Sequence, residues 1–349
     1  MSLNENVVNV STNITGSSPR SGTDLVPVII IHIIIIIGII GNSFVVIIVA
    51  MINSMKTTTN LLLVNVAIAD IIMLMLTAIH MILSRTIPFD NSFLCKVIDA
   101  NTLSNIALMA TSLTLTVLSV ERYHALVKPM KISRRLTLEN VLFVIVGVWI
   151  VSAVMNLPIF IYIDFDPNQR RCSPGNNNGS LLVSVGGIVL TMTIIPFIVI
   201  AFCYTKIVAE LYFSKTICKP HGNPGLIQED LLAKKKLVKL LITITVVFFI
   251  AFVPYGVLQI SIFGLTGARK YNQDMVNLAR VMIYLLPVHS SINPFLYSLQ
   301  SNNYRQGFKI LIKKLICSRN QDWNISIHRA SSAHRTMAAV SLRHDEAEV

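Results

Sequence analysis

Seven long apolar stretches, separated by polar and mostly basic segments, set the pattern of this chain; they cover residues 26–52, 60–83, 95–126, 141–161, 181–211, 237–264 and 275–299. A helix needs about 20 such residues to cross a hydrocarbon core, and each stretch meets that length. The pattern predicts an all-α membrane protein, a seven-transmembrane helix bundle. After the seventh stretch, Tyr304, Phe308, Leu311, Ile312, Leu315 and Ile316 recur at helical spacing, with Arg305, Lys309, Lys313 and Lys314 between them. This periodicity predicts a short amphipathic helix on the membrane surface. The expected organisation is an extracellular N-terminus (1–25), the spanning bundle (26–299), the amphipathic helix (300–317) and a disordered tail (318–349).

Composition sharpens that picture. A soluble chain of 349 residues would form about two domains. Here 53% of residues are hydrophobic, 13% are charged and the mean hydropathy is +0.66, so much of the chain sits in lipid. The formal net charge of +12 does not build a basic domain of the kind nucleic acid requires. Its lysines and arginines cluster between spans instead: Lys56, Lys128, Lys131, Arg134, Arg135, Lys215, Lys219 and Lys234 to Lys236 follow spans one, three and five, and more follow span seven. Basic loops mark the cytoplasmic side, so the N-terminus is expected outside and the C-terminus inside, at the plasma membrane. Residues 1–25 are polar, and the first apolar run is too long for a cleavable signal, so span one is expected to be its own signal anchor.

Sidedness gives meaning to smaller features. The sequons at Asn9, Asn13 and Asn178 fall outside and are candidate glycosylation sites; the same pattern at Asn324 falls inside, which shows how weak one sequon is. Cys95, at the start of span three, and Cys172, in the loop before span five, both face the oxidising exterior, and a disulfide between them is expected.

Polar residues inside the spans carry the candidate chemistry. Span three runs into Glu121-Arg122-Tyr123. A charge at that depth costs about 2.5–3.5 kcal/mol on insertion scales, which makes the pair a functional candidate; an interfacial flank with both charges lifted into headgroups is the alternative. Span one holds Gly41-Asn42, span two Asn65 through Asp70, span four Trp149 and Pro158, span five Pro196 and Tyr204, span six Phe248 and Pro254, and span seven Asn293-Pro294-Phe295-Leu296-Tyr297. In this order on seven successive helices, these marks resemble the rhodopsin-like (class A) G-protein-coupled receptors, over about residues 26–317.

The resemblance implies roles. Glu121 would hold Arg122 at rest, and Arg122 would meet Tyr204 and Tyr297 when span six swings outward and opens a cleft for a Gα subunit of a heterotrimeric G protein. Phe248, Phe252, Pro254, Asn293 and Pro294 would transmit the change, the two prolines as hinges because each removes a backbone bond. The family usually has Trp where Phe252 stands, and a smaller polar residue where His289 stands. Asp70, with Asn42, Thr111, Ser290 and Asn293, would form a pocket for an allosteric sodium ion, the only metal or cofactor implied. A protonated Asp70 hydrogen-bonded between helices is the alternative. Many relatives add an acidic lock at the base of span six. Lys234-Lys235-Lys236 stands there instead, so basal activity is expected. Cys317 is a palmitoylation candidate, and Ser326, Ser331, Ser332, Thr336 and Ser341 are candidate sites for receptor kinases and arrestin recruitment. The separation of Cys95 from Arg122 is about two residues longer than the family shows, so span three is expected to begin with an extra partial turn or a bulge.

The ligand is only partly constrained. Amine-binding relatives place Asp in the outer half of span three, where this chain has Ser104, and Pro287 stands where opsins carry their Schiff-base lysine. The outer mouth offers His80, Asp99, Ser104, Asn105, Tyr255, Gln259, Arg280 and Tyr284, a mixed polar and aromatic cup that suits a peptide. Arg280 keeps a lipid acid or another small non-amine ligand open. A transporter or channel would show repeats or charged pore positions, which are not seen. No metal cluster, phosphate loop or nucleophile constellation suggests an enzyme.

Overall fold

The computed structural model describes residues 25–86, 91–99, 101–128, 136–167, 171–173, 178–213, 224–265 and 273–316. Their helices are α1 (Leu25–Met51), α2 (Thr58–Thr86), α3 (Thr102–Leu126) and α4 (Leu138–Tyr162), followed by α5 (Asn178–Val189) and α6 (Ile195–Phe213), which together make span five. Span six is α7 (Pro224–Leu265), span seven is α8 (Gln273–Gln300), and the surface helix is α9 (Asn302–Ile316). Among the described residues, six stretches are long and apolar enough to cross a membrane, and α8 completes the bundle by packing against α1 and α7. At the centre, α3 lies against α2, α4 and α6. Lipid-facing positions are apolar and exposed, among them Phe143, Val154, Ile198 and Ile250, as a bilayer demands and water would not permit.

Side-chain hydrogen bonds tie the rods together. Trp149 on α4 donates to Asn65 Oδ1 at 2.9 Å, and Asn65 Nδ2 donates to Thr114 Oγ1 at 2.8 Å, so α2, α3 and α4 share one polar chain. Prolines supply further partners. Pro196 has no N–H to return to Met192, four residues before it, and the π-helical turn Leu190–Ile194 lies just upstream. Ser112 on α3 donates to the Met192 carbonyl. Pro294 likewise cannot serve Ser290, and Asn42 Nδ2 donates to the Ser290 carbonyl at 3.0 Å. At Pro196 and Pro294 the carbonyl left over takes a donor from a neighbouring span.

Three features depart from, or add to, the hydropathy pattern. Span three is broken near its start: a π-helical turn at Cys95–Asp99 is followed by Asn101 in the left-handed region, φ 51, and only then by α3. Thr102 Oγ1 donates to the Lys96 carbonyl at 2.6 Å across the break, which takes up the extra residues ahead of Arg122. Span six runs back to Pro224 rather than starting near residue 237, because Gln228 to Lys236 contains no helix breaker and Pro224 is suited to a first turn. After α4 the chain forms an antiparallel pair, β1 (Asp164–Asp166) and β2 (Arg171–Ser173), with Phe165 opposite Cys172.

The amphipathic helix docks on α1. Gly307 sits against Ile48 so closely that a Cβ would collide with it, and Phe308 meets Phe44 with ring centroids 6.3 Å apart. Arg305 donates to the carbonyls of Ser298 (3.2 Å) and Leu299 (2.9 Å), which caps the end of α8.

Candidate functional site

At the end of the bundle that carries α9, Arg122 Nε lies 2.7 Å from Glu121 Oε2, with side chains 16% and 9% exposed. The two atoms are not aligned as donor and acceptor, so the contact is chiefly coulombic. Thr58 on α2 reaches the other carboxylate oxygen at 3.5 Å, anchoring Glu121 to a second helix. Tyr204 on α6 is buried beside Thr245 of α7, within electrostatic reach of Arg122, and lines a groove of about 440 Å³ with Ala201, Thr205, Val208 and Ala209. Tyr297 on α8 packs on Tyr304 of α9 with centroids 5.3 Å apart, and Tyr304 in turn approaches Asn60 at 3.4 Å. Burial in that contact raises the Tyr304 phenol above its ordinary range, so it stays neutral. Tyr123 turns the other way, towards His124 (5.4 Å) and Phe202 (5.9 Å).

Deeper in the bundle, Asp70 is almost fully enclosed and accepts from Asn293 Nδ2 at 2.7 Å and from Ser290. Asn42 is joined to the same helix through the Ser290 carbonyl. The structure thus brings together four of the five residues expected around a sodium ion, while Thr111, buried on α3, shares no hydrogen bond with them among the described residues. The residues fit a hard cation: Asn42 Oδ1 and Asn293 Oδ1 are buried oxygens without a hydrogen-bond partner, and Asn293 itself bonds the Asp70 carboxylate.

An aromatic column stands between this pocket and the opposite end. Tyr255 meets Phe252 (6.5 Å), Phe252 stacks on Phe248 (4.1 Å, 12° between planes), and Phe248 meets Phe249 edge-on (5.4 Å). His289 lies edge-on to both Phe248 and Phe252, each at 5.4 Å, and its Nδ1 is 3.4 Å from Ser290 Oγ. One imidazole therefore touches the aromatic pair and the Asp70 pocket together. Tyr255 donates to Asn105 at 3.4 Å, which links the column to the outer cup; Ser104 is buried next to Asn105, and His80 lies on α2. The side chains of Asp99, Gln259, Arg280 and Tyr284 lie outside the described set, although their backbones fall on the π-helical turn, α7 and α8.

The outer end is tied down around Cys95, which is disulfide-bonded. Cys172 lies on β2, and β2 contacts the turn that carries Cys95, but its side chain is outside the described set. Lys96 approaches Asp164 at 3.9 Å and the Phe160 ring at 5.7 Å. The Ser92 hydroxyl, the Phe165 amide and the Lys96 charge hold the Asp164 carboxyl below its usual range. Asn178 opens α5, with its side chain outside the described set; Asn9, Asn13, Cys317 and the tail hydroxyls lie outside the described residues altogether.

The family model "7 transmembrane receptor (rhodopsin family)" matches residues 41–297. The chain belongs to this family. Relatives include a type-1 angiotensin II receptor A of Xenopus laevis, 31% identical over 301 residues, covering 82% of this chain and 78% of that protein. A galanin receptor 2b of Danio rerio is 26% identical over 309 residues (84% and 76%). The somatostatin receptor type 1 of Mus musculus is 28% identical over 317 residues (87% and 75%). The family is one of receptors rather than enzymes, and its members cross the membrane several times, as the apolar helices here do.

Some roles were missed in the sequence: Ser112 altogether, Tyr304 as the partner of Tyr297, Arg305 as the cap of α8, and His289 as an aromatic partner. Only Ser112 left a signal that could have been followed, since Pro196 on another span marks a carbonyl in need of a donor.

Proposed function

We propose that this rhodopsin-family receptor binds an extracellular peptide and, through it, activates a heterotrimeric G protein. The peptide reading rests on the relatives, whose names give angiotensin II, galanin and somatostatin as ligands, and on the polar and aromatic cup around Asn105 and Tyr255. The orientation proposed is N-terminus outside and C-terminus in the cytosol, at the plasma membrane, as the loop charges require. Cys95 pairs with Cys172 and holds the β1–β2 hairpin over the mouth.

The observation that carries the mechanism is the Arg122–Glu121 contact, with Tyr297 held away on Tyr304. In this reading the contact belongs to the resting receptor. Peptide pressing on Tyr255 shifts Phe252 and Phe248, the bends at Pro254 and Pro294 let the cytoplasmic half of α7 move outward, and Arg122 leaves Glu121 for Tyr204 and Tyr297. Peptide and G protein bias the same two-state packing, so each strengthens the other's binding. A sodium ion held by Asp70, Asn42, Ser290 and Asn293 would supply positive charge that favours the resting packing. Receptor kinases would phosphorylate the serines and threonine of the tail, and arrestin would read them; Cys317 would carry a palmitoyl anchor.

The test is a panel of peptides and lipids assayed for nucleotide exchange on G protein in membranes. A peptide that stimulates exchange in the native receptor, and not in Arg122→Ala at equal surface expression, is the expected result. Activation by a lipid acid alone would overturn the ligand class; undiminished exchange in Arg122→Ala would overturn the switch.

A further inference from the structure

A hydrogen bond crosses the outer half of the bundle from α7 to α3. The Tyr255 hydroxyl donates to Asn105 Oδ1 at 3.4 Å, joining residues 150 positions apart. Asn105 is buried and Tyr255 is half-buried. Asn105 owes its place to the break in span three. Its amide donates at 2.9 Å to the carbonyl of the left-handed Asn101, so the first turn after the break carries its side chain towards α7.

On α7 the same bond falls at the bend. Tyr255 follows Pro254 directly, and its ring meets Phe252 edge-on at 6.5 Å. Gly256 comes next and lies on span five so closely that a Cβ there would stand 3.1 Å from Val189 Cγ1. The outer side of the bend is thus fixed on two neighbours, by packing on span five and by a hydrogen bond on α3. Of these two, the hydrogen bond has partners that a ligand can replace. At 3.4 Å it is at the long end of the range, and a displacement of Tyr255 by about half an ångström parts it.

We infer that Asn105 and Tyr255 form an outer latch, closed in the resting packing and open in the active one. This latch presupposes the two-state switch proposed above and supplies the contact through which a ligand throws it. While closed, it holds the Tyr255 ring against Phe252 and keeps the bend at Pro254 in its resting angle. An entering peptide amide matches both halves of the bond: its carbonyl accepts from the Tyr255 hydroxyl, and its N–H donates to Asn105 Oδ1. Neither side chain is then left buried without a partner.

The test reads agonist-independent nucleotide exchange in membranes that hold the full-length receptor at equal surface expression. Tyr255→Phe keeps the ring and removes the hydroxyl; it should raise basal exchange about threefold, the effect of one interhelical hydrogen bond on a two-state equilibrium. Asn105→Ala should do the same, and the double variant should go no higher than either alone. Asn105→Asp offers a stronger acceptor and should lower exchange below the native level. Glu121→Gln, at the other end of α3, tells two failures apart. If it raises exchange while Tyr255→Phe and Asn105→Ala do not, the latch is overturned and the switch stands; if none of the three raises it, both are overturned. Lower melting temperatures in the two latch variants with no gain in exchange would show a bond that only holds the fold. Multiplied effects in the double variant would show that the two side chains act apart, and either result overturns the latch.

Discussion

Asn42 on α1 donates a 3.0 Å hydrogen bond to the carbonyl of Ser290 on α8, the residue four before Pro294. Proline gives the carbonyl no partner in its own helix, and the bilayer supplies no water, so the donor must come from another span. The bond joins two residues 248 positions apart and fixes the bend in α8 beside the Asp70 pocket. Asn42→Leu should lower the stability of the ligand-free receptor by about 1 kcal/mol, the usual scale for such bonds in membranes. An unchanged melting temperature in detergent would remove the bond from the account.

Ser112 and Met192 repeat the relationship on span five. Ser112→Ala should destabilise the receptor by a similar amount, on the order of 1 kcal/mol. In a Pro196→Ala background the same change should cost little, because alanine restores an N–H that can return to Met192. A double-mutant cycle in thermal stability reads the coupling; strict additivity would contradict it.

Holding Arg122 against Glu121 should suppress exchange in the absence of ligand. Glu121→Gln is expected to raise basal nucleotide exchange about fivefold or more, the equivalent of roughly 1 kcal/mol of bias between two states. Lys234→Glu should act in the opposite sense by adding an acid at the base of α7. Basal exchange that ignores both substitutions would show that this end of the bundle does not set the resting state.

A cation at Asp70 should also be visible without an agonist. Basal exchange is expected to be lower in sodium chloride than in choline chloride at equal ionic strength, and Asp70→Asn should abolish the difference. Equal rates in both salts for the native receptor would leave Asp70 with its Asn293 and Ser290 bonds alone.

The hairpin at the outer mouth should tolerate mild acid. Asp164 has a depressed carboxyl pKa in the folded chain, so what it contributes is present above the ordinary carboxylate value and is lost only as pH falls through the lower, folded value. Protection of the Phe165 amide from hydrogen exchange should therefore be the same at about pH 7 and about pH 5.5, and fall below about pH 4, where a free aspartate titrates. Loss of protection already at about pH 5.5 would mean that another group holds the hairpin.

Hydropathy is written along the chain, one span at a time, and the local sequence therefore determined the seven rods, the surface helix and the positions of the kinking prolines. Glu121-Arg122-Tyr123 and Asn293-Pro294 are contiguous and were legible for the same reason. The break ahead of α3 was legible as extra residues between Cys95 and Arg122, but its form, a π-helical turn and a left-handed Asn101, was not. The full length of α7 was missed because a helix needs helical propensity rather than apolarity, and polarity between residues 224 and 236 concealed it.

Only the tertiary structure decided which donor meets which carbonyl, that Tyr297 rests on Tyr304, and that His289 bridges the Phe248–Phe252 pair and Ser290. These partners lie on different helices, or belong to faces whose rotation is set by packing, and no period in the sequence states how one rod turns towards another. The residue types were present in the sequence from the start; it is the close approach of α1 to α8, and of α3 to α6, that makes them partners.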